Sequence, residues 1–217
     1  MDYTTARHNM VESQIRTNRV IDPAVTAALA EIPREVFVPK PMRGFAYVDE
    51  DLDVGGGRFI LEPLVLARLL IGAGIRPTDV VLNIGDATGY VTAVVSKLAQ
   101  TVVALESDAE WAGRASQSLA ELSIDNAAVV QGALEQGYAA QAPYDVILFS
   151  GAVTEVPPAI CRQLADGGRL VGVVAATPGV GKGTVIVRVG DTFGRRVLFD
   201  AVTPMLPGFQ PKPKFVF

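Results

Sequence analysis

Cysteine, histidine and tryptophan each occur once in this sequence, as Cys161, His8 and Trp111. A lone cysteine cannot close a disulfide within the chain, and it has no ligand cluster beside it that could form a Cys/His metal centre. No metal site is expected. Cys161 reads as a small buried residue on a helix. His8, to which no serine or cysteine can be tied, reads as a surface residue of the first helix. Charge is also sparse: 19% of residues are charged, the net charge is −4, and there is no basic block. Nucleic acid is therefore not expected as a partner. Nor is there an apolar run of about 20 residues to cross a membrane, and the opening M-D-Y-T-T-A-R-H-N is too polar for a secretory signal. A cytoplasmic protein with no membrane partner is the expectation.

Apolar residues, by contrast, make up 49% of the 217, enough for one sizeable α/β core. The chain is organised around D-V-V-L-N-I-G-D-A-T-G-Y, from Asp79 to Tyr90. Val80, Val81, Leu82 and Ile84 make a run too short for a helix and suited to a strand buried on both faces. Gly85 and Gly89 break it, and Val91, Val94, Val95 and Leu98 then fall at helical spacing. Strand, glycine turn and helix form the first βα unit of a nucleotide-binding α/β fold, with the ligand outside the carboxyl end of the strand. The dinucleotide fingerprint is not met, because Ala87 and Tyr90 stand where G-x-G-x-x-G requires glycine. The segment resembles better the first motif of S-adenosylmethionine-dependent methyltransferases, an acid followed by G-x-G-x-G, with Asn83 and Ala87 replacing the acid and the middle glycine. An adenosine-type cofactor site and a purely structural turn both remain open from this stretch alone.

Upstream, Thr4 to Thr17 is amphipathic, with Met10, Val11, Gln14 and Ile15 on one face. Asp22-Pro23 starts a second helix through Glu31. P-R-E-V-F-V-P follows from Pro33 to Pro39, then Ala46-Tyr47-Val48-Asp49, an acidic loop to Asp53, and G-G-G-R-F-I-L-E-P from Gly55 to Pro63. Three consecutive glycines let the main chain approach a ligand closely, or simply make a flexible surface loop. Glu62-Pro63 opens a helix to Gly74 that covers one face of the sheet.

These marks together resemble the protein-L-isoaspartate O-methyltransferase family: R-E-x-F-V-P at Arg34 to Pro39, A-Y-x-D at Ala46 to Asp49, a glycine-rich loop ending in I-S-x-P, and the strand-turn-helix. The resemblance covers roughly residues 9 to 175. It implies a doubly wound, mostly parallel seven-stranded sheet of the Rossmann-like methyltransferase type with an N-terminal helical extension. The expected organisation is one domain: extension and loop over 1–54, cofactor-binding core over 55–175, and C-terminal strands and tail over 176–217. The resemblance also implies S-adenosylmethionine as cofactor and proteins or peptides bearing isoaspartyl residues as partners, in a protein-repair role. The family's loop serine contacts the reacting carboxyl group, and its position here is Leu61, followed by Glu62. These two are the candidate catalytic positions.

Cofactor residues follow from the same frame. Glu106 closes the strand Thr101 to Glu106, 21 residues beyond Gly85, the separation at which a carboxylate accepts hydrogen bonds from ribose hydroxyls. With it come Gly85, Asp86, Ala87, Gly89 and Tyr90 of the turn, Asp86 as a displaced carboxylate. The strand Ala128 to Gly132 ends where the family carries Gly-Asp; here Gly132 precedes Ala133, so the acid implied for the adenine amino group is absent. Asp145 holds a strand edge, and Ser150 and Gly151 lie over the expected pocket. Trp111 packs on its helix near the adenine rim.

Further on, Pro157 to Leu164 reads as a helix, Ala165 to Arg169 as a turn, Leu170 to Val174 as a strand. Thr177 to Thr184 fails as a P-loop, since Lys182 precedes Gly183 rather than Ser or Thr, and reads as a hairpin turn before the strand Val185 to Val189. A strand near Val197 to Phe199 and an extended, proline-limited tail complete the chain. Two functions are carried forward. One is methyl transfer to an abnormal aspartyl carboxylate; the alternative is a divergent member that binds partners without catalysis, or that uses another acceptor. The enzyme reading requires main-chain amides at 85–89 and the Glu106 carboxylate to face one open hollow.

Overall fold

The computed structural model describes residues 2–176 and 179–210. Its centre is a seven-stranded sheet in the order β5-β4-β3-β6-β7-β8-β9, where β3 is Val80–Ile84, β4 Thr101–Glu106, β5 Ala127–Gln131, β6 Tyr144–Val153, β7 Leu164–Val174, β8 Gly181–Val189 and β9 Thr192–Ala201. β3 pairs in parallel with both β4 and β6, and β6 with β7; β8 alone runs against its neighbours. The inner parallel strands are buried on both faces, which is why β3, Asn83 apart, and β4 read as near-continuous apolar runs rather than alternating ones, whereas β5 at the sheet edge is partly exposed.

Helices cover the two faces. α3 (Pro63–Ala73) starts on a proline at its first turn and stops at Gly74, φ +53°, the asymmetry expected of helix ends. α4 (Tyr90–Ser96) is wholly buried, and α5 (Ala109–Glu121) buries Ala115 and Leu119 while its other face is wet. At the front, α1 (Tyr3–Asn9) runs on through a wider π-helical turn, Met10–Ile15, and a 3₁₀ turn, Arg16–Asn18. The face expected from sequence is buried there: Met10, Val11 and Ile15 join the core, and Gln14 Nε2 donates to Tyr47 O at 2.9 Å. His8 is exposed. α2 (Pro23–Glu31) is capped by Asp22. The glycine stretch is a short antiparallel hairpin, β1 (Leu52–Gly55) and β2 (Arg58–Ile60), with Gly55, Gly56 and Gly57 all at positive φ.

Three segments depart from the sequence reading. The helix expected over Pro157 to Leu164 is a single turn, α6 (Pro158–Cys161), with Cys161 buried, and β7 begins at Leu164 instead of Leu170. Gln163 explains this. Its side chain accepts from Tyr138 N and donates to Gln136 O, and its carbonyl accepts from Tyr144 N at 2.9 Å, drawing the chain out of the helix and onto β6. The last strand is also longer than expected, Thr192–Ala201. The strand after the turn expected over Thr177 to Thr184 starts early, at Gly181 rather than Val185; residues 177–178 of that turn and 211–217 of the tail lie outside the described residues. Among those described, no helix is long and apolar enough to cross a membrane, and no group of three His, Cys, Asp or Glu is placed to hold a metal.

Candidate functional site

The strand order reverses direction of growth between β3 and β6, so a crevice opens at their carboxyl ends, where α/β sheets of this kind hold ligands. Gly85 of the 85–89 turn, Ser150 and Gly151 of β6, the β1–β2 hairpin and the segment after β9 line it, and Arg58 of the hairpin reaches from there to Glu106 at the end of β4.

The turn is built around Asp86. Gly85 (φ +84°) and Gly89 (φ +87°) occupy left-handed backbone angles, which only glycine takes without strain. The Asp86 carboxylate accepts from Gly89 N at 3.2 Å, from Thr92 N at 2.7 Å and from Thr92 Oγ1 at 2.8 Å. It therefore caps the orphan amides at the start of α4. Burial pushes its pKa up, and the bonds from Thr92 and Gly89 pull the other way. Asn83 Nδ2 donates to Thr92 Oγ1 at 3.0 Å, and Ser150 Oγ donates to Asn83 Oδ1 at 2.7 Å. The expectation of Asp86 as a displaced ligand carboxylate is thus corrected: its oxygens are spent on the turn itself. Gly85 N likewise donates to Leu105 O at 2.9 Å.

Tyr90 does not face the crevice either. Its ring is fully buried 4.8 Å below the Arg34 guanidinium and edge-on to Phe37. Arg34, also fully buried, donates from Nε to Ala46 O at 2.7 Å and from Nη2 to Leu61 O at 2.8 Å. The R-E-x-F-V-P and A-Y-x-D marks are thereby tied to the 61–62 loop, and Tyr47 Oη closes the brace by donating to Glu35. Leu61 is buried at the wall of the crevice. Glu62 N donates to Asp51 Oδ1 at 2.8 Å, and the Glu62 carboxyl is pushed up to about 7, first by burial and then by the Asp49 and Asp51 carboxylates. Gly132 N donates to Glu106 O at 3.0 Å, and Ala133 is exposed with no polar side chain to offer. Asp145 accepts from Val80 N, as a strand-edge residue should. Trp111, half-buried, lies beside Gly56 of the hairpin and stacks on Arg114.

Glu106 is 1% exposed. Its Oε1 accepts from Ser107 N at 2.7 Å, from Asp108 N at 2.9 Å and from Arg58 Nη2. Its Oε2 has no partner among the described residues, and neither has Arg58 Nη1. Arg58 was not singled out by sequence; its signal was a cation directly after three glycines in a chain with few charges. Leu206 was missed as well. It fills the notch between Gly85 and Gly151: a Cβ on either glycine would lie 2.5 Å or 2.7 Å from its side chain. Bounded by Arg58, Leu61, Gly85, Ser150 and Leu206, the remaining cavity is about 10 Å³, at the limit for one water molecule.

A nucleoside sulfonium can be tested against this. In chemistry the unpaired Oε2 of Glu106 suits a ribose hydroxyl. In volume the group does not fit while Leu206 and Arg58 stand where they do. The open hollow expected from sequence is corrected to a filled one.

Sheet order, switch-point crevice and buried strand-end carboxylate define the class, a Rossmann-like methyltransferase fold. Two solved structures share it: a protein-L-isoaspartate O-methyltransferase with TM-score 0.81 at 24% identity, over 93% of this chain and 66% of that one, and a putative one from Plasmodium falciparum, in complex with S-adenosyl-L-homocysteine, with TM-score 0.77 at 18% identity over 95% and 98%. The family model described as Protein-L-isoaspartate(D-aspartate) O-methyltransferase (PCMT) matches residues 5–182. The Koribacter versatilis protein-L-isoaspartate O-methyltransferase is 42% identical over 76% of this chain and 74% of its own; the Roseiflexus castenholzii one is 37% identical over 96% and 95%. The chain belongs to the protein-L-isoaspartate O-methyltransferase family.

Proposed function

We propose that the protein transfers a methyl group from S-adenosylmethionine to the carboxylate of an isoaspartyl residue in a damaged protein or peptide, as a cytoplasmic repair enzyme. The observation that carries this reading is family membership across nearly the whole chain, supported by the buried Glu106 carboxylate with one oxygen still free to accept. A carboxylate acceptor is ionised at neutral pH and needs no base. What remains for this chain's residues is alignment and exclusion of water. Leu61 gives the acceptor wall an apolar surface where the family's serine would donate a hydrogen bond, a contact worth about 1–3 kcal/mol. The Arg34 brace on Leu61 O holds that wall in place.

The proposed test is incubation of the purified protein with radiolabelled S-adenosylmethionine and an isoaspartyl peptide, followed by counting of base-labile methyl. Labelling of the isoaspartyl peptide and not of its normal aspartyl counterpart is expected. Equal absence of label from both, under conditions where a family enzyme labels the first, would refute the activity.

A further inference from the structure

The crevice at the ends of β3 and β6 is filled by the chain itself, from two directions. After β9 the chain turns back across it. Ala152 N donates to Pro204 O and Leu206 N donates to Ala152 O, both at 2.8 Å, with Met205 bridged in parallel to Ala152. Phe209 then packs edge-on to Phe149 at 5.4 Å, and its carbonyl accepts from Thr154 Oγ1 at 2.9 Å. These bonds seat Leu206, 5% exposed, between two glycines that have no side chain to oppose it. From the other side the β1–β2 hairpin delivers Arg58, also 5% exposed, to the Glu106 carboxylate. The two intrusions come from different elements yet line the same small cavity.

We propose that Arg58 and Leu206 set the donor affinity and donor selectivity of this enzyme. The resting crevice is occupied by its own chain, and a nucleoside sulfonium enters when the 203–209 segment lifts and Arg58 yields Glu106. The inference rests on the donor reading of the preceding section. Its two residues act differently. Leu206 takes up space, so it weakens every nucleoside ligand alike, by the fraction of time the segment is lifted. Arg58 brings a positive charge into a site of low dielectric, where like charges repel strongly. It therefore weakens the cationic donor S-adenosylmethionine more than S-adenosylhomocysteine, whose sulfur is uncharged.

Calorimetric titration of the full chain with each compound, for the wild type, Leu206→Ala and Arg58→Gln, separates these roles. Leu206→Ala is expected to tighten both ligands about tenfold or more. Arg58→Gln should tighten S-adenosylmethionine several-fold more than S-adenosylhomocysteine. Micromolar binding of both by the wild type, unchanged in either variant, would overturn this proposal and leave the donor reading standing. No binding by any of the three proteins would overturn both. Hydrogen exchange of the wild type covers the case in which a variant does not fold: saturating S-adenosylhomocysteine should lower protection of the Leu206 and Ala152 amides, and bound ligand with unchanged protection there would refute the lifting segment.

Discussion

Two ion pairs, one partly and one wholly buried, stand at opposite ends of the sheet, and they are finished to different degrees. At the amino end of β3, Arg169 Nη2 donates to Asp79 Oδ2 at 2.6 Å and to Gly74 O at 2.7 Å, while its Nε donates to Ala73 O at 2.8 Å; Asp79 also accepts from Arg76 N. Among the described residues neither side chain has an unpaired buried atom, and the pair ties the end of α3 to β3 and β7. At the carboxyl end, Arg58 and Glu106 are more deeply buried, yet each keeps one polar atom without a partner. A buried ion pair offsets its desolvation only when the remaining polar atoms are satisfied. The first pair meets that condition and serves the fold; the second does not, and it lies beside the crevice at the carboxyl ends of the strands.

The largest effect expected from this contrast is on stability at the amino end. Arg169→Gln strips Asp79 of its partner and leaves the Ala73 and Gly74 carbonyl contacts unmade, so chemical denaturation should register a loss of about 3–5 kcal/mol. Arg58→Gln should cost less, about 1–3 kcal/mol, because Glu106 keeps the Ser107 and Asp108 amides. If the two variants lose equal stability, the distinction between a structural and an unfinished pair is broken.

Smaller, and sharper, is Gly85→Ala. The left-handed backbone there costs about 1 kcal/mol for alanine, and the new methyl would meet Leu206. In a Leu206→Ala background only the backbone cost should persist, so a double-mutant cycle is expected to return a non-zero coupling between the two sites; simple additivity would mean that Leu206 does not occupy the notch.

The smallest effect concerns pH. The Glu62 pKa is raised in the fold from 4.5 to about 7, so between those values the native state holds a proton that the unfolded chain has lost. Stability contributed by this group therefore falls as pH rises through that window, and the penalty is complete above about 7. Partial exposure of the carboxyl keeps it small. Glu62→Gln should flatten the fall and leave the protein slightly more stable than wild type at pH 8; an unchanged slope in thermal melts across the window would remove Glu62 as its source.

The sequence disclosed local features better than those assembled from distant segments. Val80 to Ile84 and the glycines at 85 and 89 were legible because a strand buried on both faces and two left-handed turn positions leave marks within a dozen residues. Asp22, Pro63 and Gly74 marked helix ends by equally local chemistry. Gln163 left no such mark, since its effect depends on amides and carbonyls of distant loops, and so α6 was overread. The site failed for the same reason. Glu106 was found by its place at a strand end, but its partner Arg58 comes from a hairpin 48 residues away, and Leu206 arrives from beyond the last strand. For Tyr90 and Asp86 spacing fixes position along the chain and not the direction a side chain takes, inward from α4 for Tyr90 and onto the start of α4 for Asp86. Arg34, carried in a recognisable motif, proved to be the brace between two such motifs.

The most direct test of the account is a crystal structure of the protein grown with saturating S-adenosylhomocysteine. It should show the ribose hydroxyls on Glu106, with the Leu206 side chain withdrawn from the notch between Gly85 and Gly151. Leu206 still seated there, with Arg58 on Glu106 and no nucleoside beside them, would contradict it.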